Sequence, residues 1–235
     1  MPMRAISLWH RLADLLAPRL CVVCGRRLSP SERVVCASCA MHLPRTGFQS
    51  SAADNMMARL FWGVIPVERA AALFYYEAGS AVSTIVYDLK YHDHPEIGEE
   101  MGRLLAREFL SAGFFDGIDL IVPVPLARSR QRHRGYNQSR CIARGIGSVT
   151  GLPVCDTAVR RTTFKKSQTQ MGRRDRQENV AGAFSLADGR AVAGRHILLV
   201  DDVVTTGATL TACARVLLSA GGVRVSLVSL GFARA

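Results

Sequence analysis

Two adjacent carboxylates and a loop rich in threonine follow an apolar run near the end of the chain. The run, residues 197–200, is typical of a parallel strand that is covered on both faces. Asp201 and Asp202 come directly after it. Because open α/β sheets bind ligands at the carboxyl ends of their strands, we expect these two carboxylates to be the catalytic pair of a ligand site.

The loop after the carboxylates has the composition of an anion site. Backbone N–H groups and hydroxyls that precede a helix bind phosphate well, whereas carboxylates repel phosphate and accept hydrogen bonds from sugar hydroxyls. The two parts together describe a phosphorylated ribose, although an ordinary strand–turn–helix with an acidic tip is the alternative. The stretch VDDVVTTGAT (200–209) resembles the motif with which type I phosphoribosyltransferases bind phosphoribosyl pyrophosphate (PRPP). The predicted 5′-phosphate loop consists of Thr205, Thr206, Gly207, Ala208 and Thr209.

A proline-stiffened turn follows another predicted strand, 118–122. The resemblance to phosphoribosyltransferases implies that a loop at this position grips pyrophosphate, and four arginines that could neutralise a diphosphate follow it. The alternative is a rigid loop beside a solvated basic stretch. The predicted pyrophosphate loop consists of Pro123, Val124, Pro125 and Leu126.

Positive charge is concentrated in one segment. Residues 128–176 hold thirteen Lys and Arg but two Asp, so this segment accounts for the whole net charge of +11. Such concentration favours a polyanionic ligand, either pyrophosphate or single-stranded DNA with Tyr136 and Phe164 as stacking partners, over a solvated surface. Helix-end roles are the alternatives for Lys90 (a cation) and Asn137 (a cap). The candidate residues are Lys90, Arg128, Arg132, Arg134, Asn137, Gln138, Arg161, Lys165, Lys166, Arg173 and Arg176.

Four of the seven cysteines form two C-x2-C pairs separated by eleven residues: Cys21, Cys24, Cys36 and Cys39. Paired C-x2-C units are typical of a closed, structural zinc site with four thiolate ligands. The alternative, two disulfides in a secreted module, lacks a signal peptide to support it. We expect the other three cysteines to be small core residues.

Strands and helical stretches alternate over the rest of the chain. This order predicts an α/β fold, a parallel sheet with helices on both faces, plus a small N-terminal zinc module. We predict an amphipathic helix over 1–20, the zinc-binding module over 21–45, a linker over 46–66 and the ligand-binding domain over 67–235. No apolar run is long enough to span a membrane. The predicted strands are 67–76, 118–122, 153–154, 182–186, 197–200 and 223–230, and the predicted helices are 79–90, 97–110, 135–149 and 208–220.

The motifs taken together resemble those of the ComF family of competence-associated, phosphoribosyltransferase-like proteins. They are the cysteine pairs, YDLKY (87–91), VPVPLARSRQRHRGYNQS (122–139) and ILLVDDVVTTGATL (197–210). The resemblance implies a type I phosphoribosyltransferase domain that binds PRPP with Mg²⁺, and a structural Zn²⁺. It also implies a role in natural transformation, handling single-stranded DNA beside the uptake machinery at the cytoplasmic side of the inner membrane.

The residues leave the activity itself open. A metabolic phosphoribosyltransferase of nucleotide metabolism and a scaffold for the uptake machinery are the alternatives. No residue identifies an acceptor or a nucleophile. The chain starts Met1-Pro2, without the N-terminal cysteine that a glutamine amidotransferase needs, so we do not expect that activity.

Overall fold

The computed structural model describes residues 18–162 and 182–234, and the chain forms two compact units, 1–43 and 44–235. The predicted N-terminal helix lies almost entirely outside the described residues. Of the described helices, none has the length and apolar character needed to cross a bilayer.

The first unit is small and is built around its cysteines. Helix α1 (Ala37–His42) begins after Cys36, whose side chain caps it by accepting from the N–H of Cys39. A single antiparallel bridge joins Leu20 to Arg27. The buried cluster of this unit consists of Cys21, Leu28 and Cys36, with two valines and Cys39 packed against it.

The second unit holds a four-stranded parallel sheet in the order β1-β6-β5-β2. A separate antiparallel ribbon pairs β3 with β4. The bounds are β1 (Arg69–Tyr76), β2 (Leu120–Pro123), β3 (Val159–Arg161), β4 (Phe184–Leu186), β5 (His196–Val204), β6 (Arg224–Ala233), α2 (Met56–Arg59), α3 (Ala81–Tyr91), α4 (Pro95–Leu110), α5 (Arg128–Arg134), α6 (Gln138–Thr150) and α7 (Ala208–Leu218). The predicted fold class, a parallel sheet with packed helices, is confirmed.

The central strands are buried because their sequences are apolar. Residues 197–200 of β5 are fully shielded from solvent. On α3 the apolar residues recur at helical spacing and are buried, and Ser80 caps the helix by accepting from the N–H of Ser83. Helices α4 and α6 approach closely at glycines: a Cβ on Gly102 would collide with the carbonyl of Ile142.

Several elements differ from the sequence predictions. Residues 153–154 form an isolated bridge, from Val154 to Ile121, instead of a strand. The predicted helix 135–149 starts at Gln138, because Gly135 takes a positive φ and ends a separate helix, α5, that we did not predict. Strand β3 was also not predicted; its three residues pair with β4.

The segment 46–66, for which we predicted a linker, carries local structure within the second unit. It contains a 3₁₀ turn (Phe48–Ser51) and helix α2. Phe48, Met57 and Phe61 are buried. Asn55 caps α2 by accepting from the N–H groups of two of its residues, and its amide donates to the carbonyl of Ala70 in β1.

Candidate functional site

The paired carboxylates lie at the carboxyl edge of the sheet. They belong to the last residues of β5, which extends further than the predicted strand 197–200. Strand β5 continues through Asp201 and Asp202 to Val204, because β6 still pairs with it there. Asp201 Oδ1 accepts from the Ser139 hydroxyl at 3.2 Å and from the N–H of Asp202 at 2.9 Å. The site therefore joins β5 to the first turn of α6.

Asp201 is protonated more readily than an ordinary carboxyl. Burial and the neighbouring Asp202 raise its pKa to about 7, although the hydrogen bonds from Asp202 and Ser139 and the charge of Lys90 oppose the rise. A carboxyl with a pKa near neutrality can exist in either state, and a bound cation or a sugar hydroxyl shifts that balance.

Lys90 reaches the second carboxylate. Its Nζ lies 3.0 Å from Asp202 Oδ2, and both side chains are mostly buried. Asp202 Oδ1 accepts from the N–H of Val203. Lys90 is thus both the last-turn cation of α3 and a part of the carboxylate site, which the sequence had left as alternatives.

The predicted 5′-phosphate loop encloses a small cavity. The cavity measures about 40 Å³ and is lined by Asp201 and by residues 203–210. Thr205 and Thr206 are exposed, and Gly207 precedes α7 in the left-handed conformation, so the loop ends at a helix N-terminus.

The Phe61 ring lies close to Gly207 of this loop. A Cβ on Gly207 would lie 2.9 Å from the Phe61 ring, and Gly207 has φ of +74°. Both the conformation and the close ring require glycine at this position.

The predicted pyrophosphate loop is fixed by backbone hydrogen bonds. Val124 donates its N–H to the carbonyl of Val200 at 2.9 Å, and its own carbonyl accepts from the amide of Asn137 at 3.0 Å. Pro123 ends β2, and Pro125 and Leu126 are partly exposed. Asn137 also accepts from the N–H of Ser139, so it caps α6.

Apart from Lys90 on α3, the candidate basic residues that the structure describes lie on α5 and β3. Arg128 begins α5, Arg132 is exposed, and Arg134 donates to the Gln138 side chain at 3.2 Å. Gln138 is 1% exposed, and its Oε1 accepts this hydrogen bond from Arg134, whereas its Nε2 has no hydrogen-bond partner among the described residues.

Arg161 lies on β3 with its guanidinium 5.2 Å from the centre of the Phe184 ring. Burial and the nearby Arg130 lower its pKa, whereas the charge of Asp201 opposes this, which places Arg161 within electrostatic range of the carboxylates. Lys165, Lys166, Arg173, Arg176 and Phe164 lie outside the described residues.

The side chain of Tyr136 is partly buried. Its hydroxyl donates to the carbonyl of Leu89, and burial raises its pKa to about 12. This bond fastens the turn between α5 and α6 to the end of α3.

The four N-terminal cysteines converge in the first unit, and their sulfurs all lie within 4.8 Å of one another. Cys24 Sγ and Cys36 Sγ are 3.8 Å apart. A tetrahedral zinc site with Zn–S bonds of ~2.3 Å separates its sulfurs by about 3.8 Å, so the residues fit such an ion. The N–H of Cys36 donates to Cys21 Sγ, and that of Cys39 donates to Cys36 Sγ, which favours thiolates.

Two parts of this site were not predicted from the sequence. Ser139, which binds Asp201, and Phe61, which supports Gly207, contact residues far away in the chain. The position of Ser139 in the first turn of a helix was a weak signal. Nothing in the sequence around Phe61 indicated its role.

Comparisons with known proteins agree with this geometry. The model of the phosphoribosyl transferase domain matches residues 89–234. The chain is 30% identical over 223 residues to the DNA utilization protein YhgH of Salmonella typhimurium, covering 91% of this chain and 96% of that protein. It is 31% identical over 144 residues to competence protein F of Haemophilus influenzae, covering 60% and 63%.

A more distant likeness exists among solved structures. The adenine phosphoribosyltransferase of Leishmania tarentolae is 13% identical, with a TM-score of 0.38, over 81% of this chain and 94% of that one. A likeness this distant carries no inference about function.

Proposed function

The chain belongs to the ComF family of proteins with a phosphoribosyl transferase domain, and from this we propose that it binds PRPP and handles single-stranded DNA in natural transformation. The observation that carries PRPP binding is one continuous feature: the carboxylates at the end of β5 and the small cavity that residues 203–210 line directly after them. The names of the relatives, DNA utilization protein and competence protein F, support the DNA role.

The proposed roles follow from the chemistry of each group. The loop of Thr205–Thr209 binds the 5′-phosphate through N–H groups and hydroxyls. Asp201 and Asp202 accept hydrogen bonds from the ribose hydroxyls and stabilise positive charge that develops on the ribose as pyrophosphate leaves.

Lys90 would change partners when PRPP binds. It neutralises Asp202 across 3.0 Å, and ribose hydroxyls would compete for the same carboxylate oxygen. The released ammonium would then bind a phosphate oxygen. Mg²⁺, when bound with PRPP, would supply charge neutralisation at the pyrophosphate.

The residues of the pyrophosphate loop, Pro123–Leu126, would hold the leaving group against the basic side chains after it. The cations that we propose for this role are Arg134, which donates to the Gln138 side chain, and Arg161 on β3, whose charge interacts with that of Asp201.

We also propose that the four thiols of the first unit hold a structural Zn²⁺. A site closed by four protein ligands leaves no position for substrate, so its contribution is to fold the unit. The proposed location is the cytoplasm, peripheral to the inner membrane, beside the DNA-uptake machinery.

The test separates PRPP binding from DNA binding. Asp201→Asn with Asp202→Asn should abolish PRPP binding measured with Mg²⁺, because both ribose acceptors lose their charge. The same variant should bind a single-stranded oligonucleotide at least as well as the wild type, because negative charge has been removed. The matched control, Asp116→Asn with Asp188→Asn, removes the same charge at two exposed positions and should leave PRPP binding unchanged.

Two results would contradict the proposal. PRPP binding that survives in the double Asn variant would exclude the carboxylates from the site. A loss of DNA affinity together with PRPP affinity, in correctly folded protein, would exclude separate determinants for the two ligands.

The DNA determinant has a test of its own. Charge reversal of basic residues within 160–176 should weaken oligonucleotide binding and flatten its dependence on salt, because each phosphate contact on a single strand contributes roughly 0.7 to the slope of log affinity against log salt. An unchanged slope would exclude this segment as the DNA-binding surface.

A further inference from the structure

A second and larger cavity lies along helix α3. It measures about 590 Å³, a volume within the range of small-molecule sites. Among the described residues, its lining includes Tyr76 at the end of β1, Gly79, and the Ser83, Tyr87, Lys90 and Tyr91 side of α3. Lys90 also binds Asp202, so this cavity adjoins the carboxylates.

Two tyrosine rings on one face of α3 form part of the cavity wall. Tyr87 and Tyr91 are one helical turn apart, with ring centroids separated by 4.8 Å and planes inclined by 42°. Their side chains are 54% and 50% exposed. Phe61, Phe74 and Phe109 of the second unit are instead fully buried. The tyrosine pair therefore offers aromatic surface that the protein itself does not cover.

Positive charge is held beside these rings. The Arg134 guanidinium lies 5.2 Å from the centre of the Tyr91 ring, and Gln138 fixes it from the other side. The hydrogen bond from Tyr136 to Leu89 ties the turn that carries Arg134 to α3. Lys90 lies between the two tyrosines in the sequence and lines the same cavity. An aromatic surface flanked by two cations matches a ligand with a flat ring and a phosphate.

We propose that the cavity along α3 binds a nucleotide, with its base stacked on Tyr87 and Tyr91 and its phosphate beside Arg134 and Lys90. Aromatic side chains bind bases of any sequence through their faces, and adjacent cations bind the phosphate. The proposal rests on the proposed function and deepens it, because it places the base next to the carboxylates that would bind PRPP and shares Lys90 and Arg134 with the phosphates of PRPP. The stacking of the base on the two tyrosines does not depend on PRPP. The base belongs either to a single DNA strand or to a free nucleotide.

The test compares ligands that differ in the base alone. The first pair of probes is a short single-stranded oligonucleotide and an abasic strand of equal length. The second pair is adenosine 5′-monophosphate and ribose 5-phosphate. The variant Tyr87→Leu with Tyr91→Leu removes both rings at exposed positions, and Tyr87→Phe with Tyr91→Phe keeps the rings as the matched control. Dissociation constants are measured for each protein.

The wild type should prefer the base-bearing probe of at least one pair by about tenfold or more. The Phe variant should keep this preference, and the Leu variant should bring the two probes close to equal affinity. A ring-dependent preference in the oligonucleotide pair assigns the base to DNA, and one confined to the monophosphate pair assigns it to a free nucleotide.

The proposal is overturned if neither pair shows a preference, or if the preference is the same in the Leu variant. PRPP titration of the same proteins separates this result from the proposed function. The single variant Tyr87→Leu keeps the contact between Tyr91 and Arg134 and should keep the PRPP affinity of the wild type. A wild type that fails to bind PRPP would contradict the proposed function, whereas the comparison of base-bearing and base-free probes would still test the stacking.

Discussion

The two compact units of the chain differ in what stabilises the interior of each. In the first unit the buried cluster consists of two cysteines and Leu28, with a few partly buried neighbours, and four sulfurs lie within 4.8 Å. In the second unit a four-stranded sheet is buried under helices, and aromatic side chains such as Phe61, Phe74 and Phe109 are fully shielded. Domains below about 40 residues need a metal or disulfides because apolar burial alone is too small.

Because of this difference, we expect different changes to unfold each unit. A unit organised by ligand chemistry fails when its ligands or ion are lost. A unit organised by packing fails when atoms are added or removed at close contacts.

Removal of zinc should unfold the first unit and leave the second folded. Structural zinc contributes on the order of 10 kcal/mol to small modules, far more than the few buried apolar groups here can replace. Hydrogen exchange measured by mass spectrometry should show lost protection over 20–43 after chelation, with protection kept in β5 and β6. Cys36→Ser should lower the zinc content, whereas Cys155→Ser, outside the cluster, should not. Full protection of 20–43 without metal would refute this dependence.

Gly207→Val should destabilise the second unit and abolish PRPP binding. A β-branched residue at φ of +74° costs about 1–2 kcal/mol, and overlap with the Phe61 ring costs about 1–3 kcal/mol more. Denaturant unfolding measures the stability, and calorimetry measures binding. Gly79→Val, also at positive φ but with open space around its Cβ, gives the contribution of strain alone. Equal losses in the two variants would mean that the Phe61 contact contributes nothing.

Gly102→Ala should destabilise the second unit by about 2 kcal/mol, although alanine is the better helix former by about 1 kcal/mol. The added Cβ would collide with the carbonyl of Ile142 across the contact between α4 and α6. Urea unfolding measures the change, and Arg107→Ala at an exposed position of α4 serves as the control. A stabilising effect would show that the helices separate without cost.

The contribution of Asp201 to the stability of the second unit should fall as the pH rises from about 4 to about 7. Its pKa is about 7 in the folded protein, against 3.8 for the free group, so the folded state binds this proton more tightly. Above pH 7 the carboxyl is ionised in both states and that stabilisation is lost. Asp201→Asn should flatten the fall by on the order of 1 kcal/mol in unfolding measured at pH 5 and pH 7.5. The exposed Asp188→Asn should not, and parallel curves for the wild type and Asp201→Asn would contradict the shifted pKa.

The sequence predicted those features whose signal is local. The apolar run of β5, the paired carboxylates and the threonine loop are contiguous in the sequence. The four cysteines have a characteristic C-x2-C spacing. Both candidate sites could therefore be proposed from the sequence alone. The end of β5 was not predicted from the sequence. The strand continues to Val204 because β6 pairs with it there, and this pairing has no signal in the residues of β5.

Features that depend on distant contacts were missed. Helix α5 has almost no apolar residues, so it carries no helical periodicity. The roles of Ser139, Phe61 and the tyrosine pair arise from the meeting of separate elements. The predicted limits of the domains and the roles of the site residues stay predictions.

The most direct test of the central claim is calorimetric titration of the zinc-loaded protein with PRPP and Mg²⁺, with and without a short single-stranded oligonucleotide. We expect saturable PRPP binding at one site per chain, with an affinity that changes when the oligonucleotide is present. PRPP binding that is indifferent to DNA would favour a metabolic phosphoribosyltransferase. An absence of PRPP binding would contradict the assignment of Asp201, Asp202 and residues 205–209 to a phosphoribosyl site.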